Sequence, residues 1–183
     1  IKGVEVKLSE EGELLVKGEG IMKGYWKQEK ETSETIIDGW LHTGDLADID
    51  EDGYITIKDR KKEIIVNSGG DNIAPVRPEA SLTFQDIILQ AMVYGDRRPY
   101  LVGLVVVDPE ISKNISEEEL NSEVSNAVKK ANENLSQIEK IKKYIIADEP
   151  LSTDNGMLTP TMKIRRHMVN EVYGEQLNNL YKK

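Results

Sequence analysis

The 183-residue chain has no cysteine. That excludes a disulfide framework, a thiolate zinc site and a cysteine nucleophile, and it suits a reducing compartment. Histidine is nearly absent too: His42 and His167 are distant and have no cysteine neighbours, so they do not suggest a metal site. Apolar runs such as Leu101 to Val107 fall well short of the roughly 20 residues a membrane-spanning helix needs. Basic charge is in deficit, with 24 Lys and Arg against 33 Asp and Glu and a net charge of −9. This weighs against nonspecific nucleic-acid binding, which wants a lysine- and arginine-rich face. No glycine-rich phosphate loop, internal repeat or low-complexity tract is visible, and no signal peptide opens the chain. The start, Ile1-Lys2-Gly3-Val4, lacks an initiator methionine and reads as mid-protein sequence, so a piece of a longer protein is expected.

What is present fits an ordinary soluble fold: 38% hydrophobic and 31% charged residues, enough for one core or for one small domain plus part of another. The first third reads as strands. Val4 to Leu8 alternates apolar and polar residues, Glu11-Gly12 is a hairpin turn, and Glu13 to Lys17 is a second strand ended by Gly18 and Gly20. A short helix is expected over Glu29 to Ile37, a turn over Asp50 to Gly53 and a strand over Tyr54 to Ile57. Strands of this kind without further neighbours leave open sheet edges.

Beyond Lys62 the pattern changes. Ile64 to Val66 reads as a short strand and Ser68 to Asn72 as a flexible loop. Strands are expected over Ala91 to Tyr94 and Leu101 to Val107, separated by the polar turn Gly95 to Pro99. Ser116 and Glu119 form a capping box opening a helix whose apolar stripe is Leu120, Val124, Ala127, Val128 and Ala131. Tyr144 to Ile146 is a further strand and Ile164 to Leu180 a terminal helix. The order strand, strand, helix, strand, helix reads as a small α+β domain.

Three separated segments carry candidate chemistry. In Gly39-Trp40-Leu41-His42-Thr43-Gly44-Asp45, a short polar loop presents a carboxylate able to accept two hydroxyls of a ribose. Read alone, Thr-Gly-Asp is an ordinary turn. Arg60, fifteen residues after Asp45, lies in the basic stretch Lys58 to Lys62, where its guanidinium offers a fixed fork of donors. Lys163 ends Leu158-Thr159-Pro160-Thr161-Met162-Lys163. A fixed ammonium there could stabilise negative charge that develops on a bound group. The plainer alternatives are a solvated basic cluster at Arg60 and an exposed lysine at a helix start. Trp40 and Tyr54 read as local packing rather than base stacking. The glutamates of Glu29 to Glu34 and Glu117 to Glu119 read as solvated faces, and His42 receives no chemistry.

In order and spacing, the three segments resemble the last nucleotide-handling motifs of the adenylate-forming (AMP-binding) enzymes. The spellings Asp59-Arg60-Lys61-Lys62-Glu63 and Leu158 to Lys163 are most similar to the long-chain fatty acyl-CoA synthetase branch. The resemblance spans essentially the whole chain, but only as the carboxyl-terminal portion of such an enzyme. It implies a β-rich remnant of the large amino-terminal domain over 1–59, a hinge over 60–62 with Lys62 as pivot, and a small α+β carboxyl-terminal domain over 63–183. It further implies that Asp45 and Arg60 bind the ribose and that Ser68, Gly69 and Gly70 line the channel for the pantetheine arm of CoA. Lys163 is then the catalytic lysine of acyl-adenylate formation.

The implied substrates and cofactors are a fatty acid, ATP with Mg2+, and CoA. The implied partner is the missing amino-terminal domain of the same protein, and no nucleic acid is expected. The implied location is cytoplasmic, with peripheral membrane association of the parent left open. Ligases of acyl-carrier proteins or aryl acids, and a noncatalytic nucleotide- or partner-binding module, remain as alternatives. Two departures from the family pattern stand out. Asp71 replaces a glutamate, and Pro78 replaces an aliphatic residue, so the helix after the hinge is expected to start late or be irregular.

Overall fold

A computed structural model describes residues 3–113 and 115–182. It divides into two compact units, Ile1–Ile64 and Ile65–Lys183.

The first unit is built on β1 (Val4–Leu8), β2 (Glu13–Gly18), α1 (Glu29–Thr35), β3 (Ile36–Ile37), β4 (Trp40–Ile49) and β5 (Ile55–Arg60). Its sheet runs β1-β2-β4-β3, and β5 pairs with the far half of β4. The expected hairpin of β1 and β2 is present, with Gly12 at positive φ in its turn. Three expectations are corrected here. The helix stops at Thr35, because Ile36 and Ile37 pair with Leu41 and Trp40. Asp38-Gly39, both at positive φ, is the two-residue hairpin turn that joins them. The segment around Asp45 is not a loop but the interior of a ten-residue strand. Finally, Tyr54 is 73% exposed and packs on little, whereas Trp40 does pack locally, beneath the Lys7 ammonium at 4.2 Å.

The second unit contains β6 (Ile65–Val66), β7 (Asn72–Ile73), α2 (Val76–Thr83), β8 (Ile88–Tyr94), β9 (Leu101–Val107), α3 (Pro109–Ser112), α4 (Glu117–Glu133), β10 (Ile141–Ile146) and α5 (Arg166–Asn179). The central sheet is β10-β9-β8, with β8 antiparallel and β10 parallel to β9. A parallel neighbour requires a crossover, and the stretch holding α4 supplies it. All seven residues of β9 are buried. Leu101 and Val105 join one core with Leu82 of α2 and with Val124, Ala127, Val128 and Ala131 of α4. Val102, Leu104 and Val106 join a second core with Val169, Tyr173 and Leu177 of α5. The run Leu101 to Val107 is continuously apolar because helices cover both faces of the strand. Ser116 and Glu119 form the expected capping box. Contrary to expectation, α2 begins before Pro78. The proline sits in the first helical turn, where a missing backbone N–H leaves no helical bond unmade.

Candidate functional site

In the first unit, Asp45 and Arg60 are direct partners across β4 and β5. Their fifteen-residue spacing is therefore a hairpin register. Arg60 Nε lies 2.7 Å from Asp45 Oδ1, and Arg60 Nη1 donates a longer bond of 3.4 Å to the Thr43 carbonyl. Asp45 is one-quarter exposed and Arg60 just over half. An ion pair this open contributes little stability. Its chemical potential lies elsewhere, in a carboxylate acceptor and a guanidinium donor fixed side by side at the surface.

The strand that carries Asp45 is irregular. Glu13 pairs with Leu46 but Leu15 pairs with His42, so β4 carries two extra residues between these pairs. They form a bulge at Thr43-Gly44, with Gly44 at φ +73°. The Thr43 hydroxyl donates to the Leu14 carbonyl at 2.8 Å and accepts from the Asp45 N–H at 3.1 Å. Bulges of this kind re-aim side chains and occur often beside active sites.

Sequence reasoning passed over Glu13, which is only 5% exposed. Its carboxylate accepts the Gly44 N–H at 2.9 Å and the Lys61 ammonium at 3.1 Å, with His42 Nδ1 at 3.4 Å. Burial by itself would raise its pKa. The Gly44, Lys61 and His42 hydrogen bonds outweigh that and hold it below the usual carboxylate value. Lys61 is pushed up by Glu11, at 2.5 Å, and by Glu13. The only signal for Glu13 in the sequence is a glutamate at the start of an apolar strand, which any strand could carry. Asp59 was passed over too: it is buried, its Oδ1 accepts the Arg60 N–H at 2.7 Å, and its Oδ2 has no hydrogen-bond partner among the described residues. Lys62 lies exposed in the 3-10 turn Lys61–Glu63.

In the second unit, Ser68, Gly69 and Gly70 form an exposed turn held by hydrogen bonds. Asn67 Oδ1 accepts from the Gly69 and Asp71 amides at 2.8 and 2.9 Å, and the Ser68 N–H donates to the Arg98 carbonyl at 3.0 Å. Gly70 has φ +87°. Lys163 closes a tight turn two residues before Arg165, the N-cap of α5. The Thr159 N–H donates to the Lys163 carbonyl at 2.8 Å, and the Lys163 N–H donates to Thr159 Oγ1 at 3.1 Å. Leu158 and Ile164 pair beneath the turn, and Met162 takes φ 63°. The Lys163 side chain is exposed on this scaffold. Three residues on, Arg166 pairs bidentately with Glu79 at 2.7 and 2.8 Å, and Glu79 also accepts the Val93 N–H at 2.8 Å. That pair ties α2 and β8 to the start of α5; a bidentate arginine–carboxylate pair is strong and geometrically specific. Among the described residues no cluster of His, Cys, Asp and Glu could hold a metal ion, and no helix is long and apolar enough to cross a membrane.

Comparison with known proteins identifies the class. Residues 62–183 match the family model described as the AMP-binding enzyme C-terminal domain, and the chain belongs to that family. Among curated relatives, a long-chain-fatty-acid–CoA ligase of Mycobacterium tuberculosis is 38% identical across 100% of the chain, which spans 33% of that protein. Long-chain-fatty-acid–CoA ligase 5 of Rattus norvegicus is 37% identical over 95% of the chain and 28% of its own length. The chain thus spans about a third of the curated relatives it matches. The adenylation domain of a carboxylic acid reductase from Segniliparus rugosus, solved with AMP and a co-purified carboxylic acid, is 29% identical with a TM-score of 0.85. The match covers 97% of this chain and 31% of that one. An o-succinylbenzoate–CoA synthetase from Bacillus subtilis, solved with ATP and magnesium, is 26% identical over 91% of this chain and 34% of its own, with a TM-score of 0.67.

Proposed function

We propose that the chain is the carboxyl-terminal portion of an ATP-dependent long-chain fatty acid–CoA ligase. The observation that carries this reading is the Asp45–Arg60 pair, held side by side at the surface of a chain whose curated relatives are fatty-acid–CoA ligases. In the first half-reaction the fatty carboxylate attacks the α-phosphorus of ATP, giving acyl-AMP and pyrophosphate. Two anions meet there, and Lys163 supplies the positive charge that offsets the gathering negative charge. Asp45 accepts from the ribose hydroxyls and Arg60 donates beside it. In the second half-reaction the CoA thiol attacks the acyl carbonyl and AMP leaves. Rotation at Lys62 then withdraws Lys163 and brings Ser68-Gly69-Gly70 to the thiol channel, a gating device of a known kind.

Magnesium would arrive with the ATP phosphates and would offset part of their negative charge. The chain has no glycine-rich phosphate loop. By itself it is therefore the nucleotide-clamping and gating part of the reaction, without turnover of its own. Similarity to a carboxylic acid reductase adenylation domain supports a second reading, adenylation of another acid by the same residues.

The test separates the half-reactions in the full-length ligase that carries this segment. Lys163→Ala should slow adenylation roughly 100- to 1,000-fold, the scale on which preorganised electrostatic stabilisation acts. Thioester formation from supplied acyl-AMP should fall far less. Equal loss in both would mark Lys163 as a general binding or folding residue.

A further inference from the structure

We infer that Glu13 is a positioning residue: it holds the Thr43-Gly44 bulge in the shape that aims Asp45 at the nucleotide and joins that bulge to the segment just before the pivot. The inference rests on the nucleotide role proposed for Asp45. The two extra residues in β4 deprive the half-buried Gly44 N–H of a ladder partner, and an amide withdrawn from water without a partner is costly. Glu13 Oε1 accepts it at 2.9 Å. The other carboxylate oxygen, Oε2, takes the Lys61 ammonium at 3.1 Å and faces His42 Nδ1 at 3.4 Å. One buried anion therefore binds both the bulge before Asp45 and the residue before Lys62.

The Glu13 backbone is fixed as well, with its N–H donating to Ser9 Oγ at 3.1 Å and its carbonyl accepting the Ser9 N–H at 2.9 Å. A buried glutamate serving only to stabilise a strand would not need both its oxygens on the segments flanking Asp45 and Arg60. A neutral apolar residue of similar volume would pack there at lower desolvation cost.

Two variants and two readouts test this. Glu13→Leu removes both acceptors, whereas Glu13→Gln keeps one oxygen for Gly44 and loses the charge that holds Lys61. In the 183-residue chain, amide hydrogen exchange by NMR should show Gly44 exchanging roughly 10- to 100-fold faster in Glu13→Leu, the loss of one hydrogen bond to a charged group. Glu13→Gln should keep most of the protection. In the full-length ligase, the KM for ATP in adenylation should rise about tenfold in Glu13→Leu with kcat little changed, and Glu13→Gln should restore most of it.

Unchanged Gly44 exchange in Glu13→Leu overturns the inference. So does a fall in kcat with KM unmoved, which marks a merely structural role. Asp45→Ala, run alongside, separates the two ideas. If it leaves the KM for ATP unchanged, the nucleotide role of Asp45 fails and Gly44 exchange alone decides Glu13. If it raises KM while both Glu13 variants match the unsubstituted enzyme, the positioning role fails and the nucleotide role stands.

Discussion

The two units of this chain are stabilised by different means. Among the described residues, the first buries three apolar side chains, Leu14, Leu15 and Ala47, while the second buries 26. The first leaves Val6, Ile37, Ile55 and Ile57 more than one-third exposed, and its geometry depends on polar bonds centred on Glu13. The second has β9 buried on both faces between two helical layers. Full burial of an aliphatic side chain is worth about 1.5–3 kcal/mol, and a net hydrogen bond about 0.5–1.5 kcal/mol. The second unit is therefore the stable scaffold. The first is a surface whose shape a single polar substitution can change. Candidate binding groups lie in both, but the irregular backbone that aims one of them, the bulge before Asp45, lies in the weaker unit.

The largest expected effect would break this contrast if it failed. Leu104 is fully buried, and Leu104→Ala should destabilise the second unit by about 2–5 kcal/mol, the range for a core leucine. Ile57 is 52% exposed, and Ile57→Ala should change stability by no more than about 0.5 kcal/mol. The measurement is urea denaturation of the 183-residue chain. Both tryptophans, Trp26 and Trp40, lie in the first unit, so their fluorescence reports that unit while far-UV circular dichroism reports both. Leu104→Ala should shift the circular dichroism midpoint and leave the fluorescence midpoint in place. A common shift in both signals would show the units unfolding as one.

A smaller effect concerns the turn where the units join. Lys62→Pro in the proposed full-length ligase fixes φ near −65° at the proposed pivot. The ratio of adenylation to CoA-dependent turnover should then change about tenfold, equivalent to roughly 1.4 kcal/mol between the two poses. Rates of the two half-reactions measured separately decide it, and an unchanged ratio puts the pivot elsewhere.

The smallest effect is acid sensitivity. Glu13 in the first unit and Glu139 in the second both have lowered pKa values. For Glu139, burial raises the value, but the Ser136 hydroxyl and amide and the Arg77 guanidinium lower it further. A carboxyl depressed on folding stabilises the fold above its unfolded value, here 4.5, and that contribution disappears as pH falls through the folded value. Tryptophan fluorescence should therefore report loss of first-unit structure as pH drops below about 4.5. Glu13→Gln should flatten that dependence and Glu139→Gln should not. Equal flattening by both variants would show that the fluorescence does not read the first unit alone.

Much of this architecture is legible before folding. The alternation in Val4 to Leu8, the apolar run Leu101 to Val107 and the capping box at Ser116 and Glu119 are local patterns, and each becomes the expected element. The same holds for the stripe Leu120 to Ala131, because helical period and side-chain volume are properties of a short segment.

Tertiary structure decided the rest. The strand around Asp45 was invisible as a strand because His42, Thr43, Gly44 and Asp45 offer no apolar alternation, and only pairing with β2 and β5 extends it. Pinning of the Ser68-Gly69-Gly70 turn depends on Asn67 and on the carbonyl of Arg98, thirty residues away. Glu79 and Arg166 meet across 87 residues, a pairing that no window of sequence contains. Glu13 has no local signature, because its three partners are brought to it by strand register. Sequence determined what each segment could become, through patterns a few residues long. The partners of the buried Glu13 charge were set by which segments the sheet brings together, since a buried charge is stable only where donors converge on it.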